Sequence, residues 1–449
     1  MIMLKLMHHY YSTFSIKAIG LCVALFLHDY AYAHQADTLK RQVLDEVVIR
    51  TGRHIELLSP SPVQILKEDD LQRLNSLSVA DALRYFSGVQ LKDYGGVGGL
   101  KTVNVRSLGT QHTAVFYDGL QLGNAQNGQV DLGKFSLENL EEVALYSGQR
   151  NDLLQSAGSF ASASALFLKS KRPVFSNDKR LNTDFNLKTG SFGLVNPSLL
   201  LQYKVNNQVS AHLNAAFSNA HGKYKFRLSN GAVDTSAIRS NADIQTIRIE
   251  TGMHGSTKRG EWQVKFFAFD AERGLPGAIV DNRLDYNQRL WEKNIFLQSS
   301  FTHHVNKKYS ILLNGKYALD DLRYLDPEIT TTKGYLENKY QEKEAFFSVA
   351  NRYRMTPFWD LALALDYKHN TMDANLDNFP YPNRNSVLTV LATHLKFNRL
   401  DIQLNALNTW VKDEVPSGIR PADVNKVTPA VMLSWQPIRY TDFRVRSFY

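Results

Sequence analysis

Two textures of apolar and polar positions divide the chain. Between Ser78 and Gly119 the pattern changes period within forty residues. Val79, Leu83 and Phe86 recur at three- and four-residue spacing, which predicts a short helix with one apolar face. Ser78 and Asp81 suit its start and Gly88 its stop. Val103–Asn104–Val105–Arg106 and Val115–Phe116–Tyr117 then alternate with period two, as strands do, and Asp118–Gly119 is a strong turn signal. Upstream, Glu68–Asp69–Asp70–Leu71 reads as a helix start after Pro60, Pro62 and the run 63–66. Downstream, 137–146 reads as a short acidic helix start and then a strand, Val143–Tyr146, stopped at Gly148. A small-residue segment from Ala157 enters the strand Leu166–Lys169 and ends at Pro173. The texture changes at 171–177. From about Asn182 no amphipathic helix is evident, and segments of about ten residues alternate in polarity between turn signals. Leu199/Leu201/Tyr203/Val205, Trp262/Val264/Phe266/Ala268, Ile311/Leu313/Gly315/Tyr317, Leu361/Leu363/Leu365/Tyr367 and Ile402/Leu404/Ala406 are examples. Roughly thirteen such strands are expected, of the kind found in antiparallel membrane barrels. A soluble sandwich also alternates.

Composition narrows the choice. The 449 residues allow more than one domain, and 43% hydrophobic content excludes disorder by composition. Tyr (21) and Phe (24) are abundant, as strands and interfacial belts require. The net charge of +9 is spread without a dense basic block, which argues against nucleic-acid binding. Lys5 and Lys17, the apolar run 18–27 and Ala31–Tyr32–Ala33 read as a secretory signal peptide over 1–33. The single cysteine, Cys22, leaves with it, so the mature chain is expected to have no disulfide and no thiol chemistry.

Candidate chemistry is sparse. Leu44, Asp45, Glu46, Val47, Val48 and Ile49 form an isolated β-prone stretch, either a first strand or a segment recruited by a partner through β-addition. Tyr94, Gly95, Gly96, Gly98, Gly99 and Leu100, with Asn124, Gln126 and Asn127, form two small or polar loops where a ligand can approach backbone groups, or ordinary turns. The glycine run is no dinucleotide fingerprint, since Lys101 falls where the third glycine belongs. Arg106 is read as buried and paired with Asp118, Glu141 or Glu142, or else bridged to a barrel. His303–His304, adjacent on a strand, point to opposite faces and do not make a metal pair. Asp320–Asp321 is read as a solvated loop rather than a calcium site. Neither a catalytic triad nor a paired-carboxylate set is present, so an enzyme is not expected.

Together these motifs resemble the TonB-dependent outer-membrane transporters. Leu44–Ile49 looks like the family's energy-coupling box, Ala80–Leu83 with Gly88–Val89 like the plug helix, and Val103–Arg106 and Tyr117–Gly119 like central plug strands. Ala157–Lys171 looks like the last plug strand, and Arg273–Gly274–Leu275–Pro276–Gly277 like a common barrel turn. Ser107 departs from the family, which usually has Gly there. The resemblance implies a signal peptide (1–33), a TonB-box segment (34–50), an α/β plug domain (51–173) and an antiparallel transmembrane β-barrel from 174 to 449. With roughly thirteen of about 22 strands the barrel is incomplete, and the chain is expected to be truncated at its C-terminus. The implied function is TonB-dependent import of a scarce, bulky nutrient. The plug loops most resemble those of the vitamin B12 (cobalamin) receptors. A siderophore or haem receptor is the alternative within transport, and a secreted β-rich adhesin the alternative outside it. TonB, a cobalamin-like ligand and outer-membrane lipid are the implied partners, with a surface lipoprotein left open; no cofactor, metal or nucleic acid is implied.

Overall fold

The computed structural model describes residues 61–94, 97, 99–123, 128–176, 179–230, 233–279, 286–437 and 445–448. The signal peptide and Leu44–Ile49 therefore lie outside the described residues, as do Gly95, Gly96, Gly98, Asn124, Gln126 and Asn127.

The first part is a small α/β unit. Strand β1 (Val63–Lys67) runs into helix α1 (Glu68–Leu74), whose Asp70 carboxylate accepts from the Lys67 N–H at its start. Helix α2 (Val79–Ala82) continues as a 3-10 turn over Leu83–Tyr85, and Gly88 ends it with φ +71°. The apolar face read from the sequence is the buried one: Val79, Leu83 and Phe86 are in the core. Strands β2 (Val89–Asp93) and β3 (Lys101–Val105) form a hairpin around the glycine run. Strands β4 (Thr113–Tyr117) and β5 (Leu120–Leu122) form a second. Its turn, Asp118–Gly119, has both residues at positive φ, matching the right-handed twist of a two-residue hairpin. Strand β6 (Leu140–Tyr146) and strand β7 (Ser164–Ser170) complete a five-stranded sheet of order β1–β6–β7–β4–β5, with β4 and β7 parallel.

The segment 137–139 is not a helix start. Leu137 and Leu140 are both buried and joined by a tight turn, and Glu138 is held by barrel cations, so the strand begins at Leu140. Arg106 is exposed, with its backbone in the left-handed region beside Ser107 (φ 50° and 59°). Two of the carboxylates considered for it have other cations, Asp118 meeting Lys265 and Glu141 meeting Lys169, and among the described residues no ion pair joins Arg106 to Glu142. Its backbone N–H donates to the Gly88 carbonyl, which fixes the turn rather than a salt bridge.

The rest is one antiparallel sheet of thirteen strands: β8 (Leu181–Gly190), β9 (Leu194–Lys204), β10 (Val209–Ala220), β13 (Ile244–Thr257), β14 (Gly260–Leu275), β15 (Gln288–His304), β16 (Tyr309–Asp326), β17 (Leu336–Thr356), β18 (Trp359–Ala374), β19 (Asn383–Lys396), β20 (Leu400–Glu414), β21 (Val424–Trp435) and β22 (Val445–Phe448). A separate hairpin, β11 (Tyr224–Asn230) and β12 (Val233–Arg239), projects between β10 and β13. Among the described residues the sheet does not close, and β8 and β22 are its outer strands. No described helix is long and apolar enough to cross a membrane. Asp320–Asp321 is no loop: both residues lie in mid-strand β16. The Arg273–Gly277 turn begins later than its sequence suggests, because Arg273 to Leu275 are still paired to β15.

Alternation gives the sheet two unlike faces. Leu213, Ile247, Val264, Phe266, Leu297, Tyr317, Leu363 and Leu391 are exposed on one face. Their neighbours His212, Asn214, Glu250, Lys265, Gln298, Lys316, Ser348 and Gln403 are buried on the other. Apolar side chains turned outward and polar ones inward are the membrane-barrel arrangement, the reverse of a soluble sandwich. One continuous sheet of this kind also excludes the string of soluble β-domains expected of an adhesin.

Ser107 supplies a test of local geometry. A non-glycine residue in left-handed backbone costs roughly 1–2 kcal/mol, partly offset by the entropy that glycine loses on folding. Ser107→Gly is expected to stabilise the plug unit by about 0.5–1 kcal/mol in denaturant unfolding followed by hydrogen exchange of plug amides. A loss of stability would show that Ser107 makes a compensating interaction.

Candidate functional site

The plug unit sits against the polar face of the sheet, and the surface where they meet is the candidate site. Strand connections orient it. One rim has tight turns, at 204–209, 257–260, 304–309, 356–359 and 396–400. Apart from the short 190–194 connection, the opposite rim has long connections, at 220–244, 275–288, 326–336, 374–383 and 414–424. Membrane barrels carry short periplasmic turns and longer extracellular loops, so the second rim faces outward. The tip of the β2–β3 hairpin belongs there: Val97 packs with Leu77 on Leu194, Ala220 and Ile244. Tyr94 is exposed, its N–H donates to the Leu100 carbonyl (3.0 Å) to close the hairpin, and Gly99 is buried.

Asp131 ties this hairpin to the second plug loop and to the wall. Its Oδ1 accepts from the backbone N–H of Lys101 (3.0 Å), at the end of the glycine hairpin, and of Gly133 (2.9 Å), at the end of the polar loop. Its Oδ2 lies 3.4 Å from Arg273 Nη1 on β14. Arg273 in turn reaches Glu292 Oε2 on β15 (3.1 Å), and Lys134 pairs with the other oxygen of Glu292. Sequence reasoning missed Asp131 as the junction. The only cue was its place directly after the polar loop, and the arginine that completes it lies 142 positions away.

Further anchors follow the same rule. Lys316 on β16 pairs with Glu344 on β17 (2.5 Å) and donates to the Gln121 carbonyl (2.5 Å), beside Gly123, where a Cβ would meet Glu344. Lys188 on β8 (2.9 Å) and Arg248 on β13 (3.7 Å) both meet Glu138. Burial opposes ionisation there, but Arg248 and then Lys188 outweigh it and hold the Glu138 carboxyl below its usual range. Nearer the short-turn rim Lys265, 1% exposed in its side chain, lies 2.5 Å from Asp118 and 3.3 Å from Glu250. Its ammonium also sits 3.7 Å from the Tyr117 ring centre, a cation–π contact. Burial, with Glu250 and Asp118 alongside, pushes the Tyr117 hydroxyl well above its ordinary pKa. Apolar contact adds to these pairs: Phe135 of the plug packs on Phe267, which stacks on Phe296 at 4.7 Å.

Two residues that flank the glycine hairpin differ. Lys92 is exposed, whereas Lys101 is buried with its ammonium on Asp81 (2.9 and 3.1 Å). His304 bonds Ser310 (2.8 Å) while His303 stacks along Phe301, so the two rings leave the strand on opposite faces. Among the described residues no group of three or more His, Cys, Asp or Glu is arranged to hold a metal ion.

Comparison with known proteins bears on this arrangement. The family model "TonB-dependent Receptor Plug Domain" matches residues 57–161. Curated relatives include vitamin B12 transporters BtuB. The one from Vibrio vulnificus is 24% identical over 134 residues, 29% of this chain and 21% of that protein. The one from Photobacterium profundum is 29% identical over 90 residues, 20% of this chain and 15% of that protein. The chain thus spans about a fifth of the length of the curated relatives it matches. Similar solved structures include the copper transporter OprC (TM-score 0.65, 13% identity, 84% of this chain and 60% of that one). The FrpB iron transporter from Neisseria meningitidis (0.67, 9%, 85% and 64%) and the ferric citrate transporter FecA (0.63, 11%, 86% and 62%) are further examples. At such identities they establish a common fold.

The Lys265 centre yields a stability test. Lys265→Met leaves Asp118 and Glu250 buried without their cation, a change that costs about 3–5 kcal/mol in such settings. Denaturant unfolding is expected to register that loss, and Lys265→Met with Asp118→Asn to recover part of it. Equal stability of Lys265→Met and the parent would mean that the pair contributes nothing to seating the plug.

Proposed function

We propose that this chain is a TonB-dependent receptor of the outer membrane that serves energised import of a scarce, bulky nutrient, with cobalamin as the cargo. The observation that carries the transport reading is the Asp131 junction. It couples two outward plug loops to each other and to the wall, so that occupancy at the outer face is felt within the plug. Tyr94, Gly95, Gly96, Gly98, Gly99 and Leu100, with Asn124, Gln126 and Asn127, are assigned to the cargo surface. Leu44–Ile49 is assigned to docking on TonB in the periplasm by strand addition.

Two considerations favour cobalamin. About 30% of the chain is similar to vitamin B12 transporters, at 24% and 26% identity. A corrin is broad and edged with amides, which the carboxamides of Asn124, Gln126 and Asn127 complement. An anionic ferric siderophore calls for clustered free cations. Among the described residues, Asp81 already neutralises Lys101, and of the two lysines that flank the glycine hairpin only Lys92 is exposed.

Equilibrium binding of cyanocobalamin to outer membranes carrying the protein, together with growth on limiting vitamin B12, tests the cargo. Cyanocobalamin is expected to bind more tightly than a ferric siderophore or haem; the opposite order overturns the cargo and leaves the transporter class. Energy coupling is tested separately. Because main-chain hydrogen bonds carry strand addition, Val47→Pro or Val48→Pro is expected to abolish uptake while binding survives, and Val47→Ala to do much less. Parallel loss of binding and uptake would instead make this stretch an ordinary plug strand.

A further inference from the structure

Asp and Glu are absent from all five turns of the short rim, and three of those turns carry exposed cations. Lys258 and Arg259 stand in the 257–260 turn, Lys307 and Lys308 in the 304–309 turn, and Lys396 and Arg399 in the 396–400 turn. Lys204, at the edge of a fourth, faces the space between plug and wall. The long connections of the opposite rim carry both signs, among them Asp234, Asp243, Lys333, Asp377 and Arg420. Acids that flank the short turns are taken elsewhere: Glu261 by Arg172, Asp360 by Arg354 and Asp401 by His394. Among the described residues none of the six exposed cations forms an ion pair.

The sheet holds these turns side by side. Arg259 Nη1 donates to the Val305 carbonyl (2.9 Å), and the His304 N–H donates to the Arg259 carbonyl (2.6 Å), which joins the first two turns. The Arg354 N–H donates to the Lys308 carbonyl and the Lys396 N–H to the Phe358 carbonyl, both at 2.8 Å. Neighbouring hairpin turns lie two strand spacings apart, roughly 10 Å, so the six cations extend along roughly 30 Å of rim. Their level matters as much as their sign. Down the lipid-side face of β18, Leu365, Leu363 and Leu361 lead to Trp359, and beside it Phe358 stacks on Phe397 (5.8 Å). Tyr353, Phe358, Trp359 and Phe397 are all exposed. Aromatic side chains in such a belt mark the boundary between the apolar part of a bilayer and its headgroups. The cations lie at and beyond that boundary, where anionic headgroups attract Lys and Arg. A row of unpaired cations that follows the rim fits a row of headgroups; a compact acidic protein would need them gathered in one patch.

We propose that the short-turn rim is a lipid-binding collar, in which Lys258, Arg259, Lys307, Lys308, Lys396 and Arg399 meet the phosphate groups of anionic phospholipid in the periplasmic leaflet. The proposal is independent of the cargo and uses no residue of the plug. Arginine presents its planar fork to a phosphate and lysine a single mobile ammonium, so the paired turns offer both kinds of contact.

The test uses the whole protein reconstituted in vesicles of phosphatidylcholine and phosphatidylglycerol. One lipid at a time carries bromine on its acyl chains, so quenching of tryptophan fluorescence reports which of them occupies the wall. Trp359 and Trp435, at the short-turn ends of β18 and β21, are exposed reporters. Phosphatidylglycerol is expected to be favoured about threefold at low salt, and the preference to shrink toward unity at high salt, where exposed charges are screened. Lys258→Gln, Arg259→Gln, Lys307→Gln and Lys308→Gln together are expected to reduce it to about 1.5-fold. Lys396→Gln with Arg399→Gln, on a separate turn, is expected to remove part of it independently. Symmetric vesicles offer the same lipids to both rims. Lys223→Gln, Lys225→Gln, Lys333→Gln and Arg420→Gln, which remove the same charge from the long-loop rim, are therefore expected to leave the preference unchanged. No preference in the parent overturns the proposal. So does a preference that survives both sets of short-turn substitutions, or one that falls equally with the long-loop set.

Discussion

The fold depends on one electrostatic constraint: charges on the inner face of the sheet are removed from water and must meet opposite charges there. An isolated ion in a low-dielectric interior costs several kcal/mol, which pairing and hydrogen bonding have to offset. Lys265 with Asp118 and Glu250, Arg273 with Asp131 and Glu292, Lys134 with Glu292, and Lys188 with Arg248 on Glu138 all meet this requirement across the plug–wall boundary. The two parts therefore hold each other in register. Without the plug, the inner face would present Lys265 and Arg273 without Asp118 and Asp131.

This kind of seating differs from a hydrophobic core in a way that suits transport. Apolar packing is tolerant of small slips, whereas a charge pair loses most of its energy once the partners separate and water enters. The apolar patch of Phe135, Phe267 and Phe296 supplies area beside these pairs. The outward loops join the network through Asp131 and Lys101, so the surface assigned to cargo and the pairs that seat the plug are mechanically continuous.

Local chemistry was legible in the sequence because it depends on near neighbours. The apolar face of Val79, Leu83 and Phe86, the Asp118–Gly119 hairpin turn and the period-two strands of the long sheet all follow from spacing along the chain. The outward turn of the apolar residues did not, since alternation alone fits either a sandwich or a barrel. Partnerships across long separations were not legible. The chain carries many acids and bases, and nothing local says that Asp118 meets Lys265 rather than Arg106, that Lys101 is spent on Asp81, or that Asp320–Asp321 lies in mid-strand. Those outcomes depend on which strand stands beside which and at what register. A shift of one residue would turn Lys265 to the lipid side and Val264 to the plug. The sequence by itself thus determined the two textures and which positions share a face. Only the tertiary structure decided the pairs, because burial makes each charge choose among distant partners by geometry.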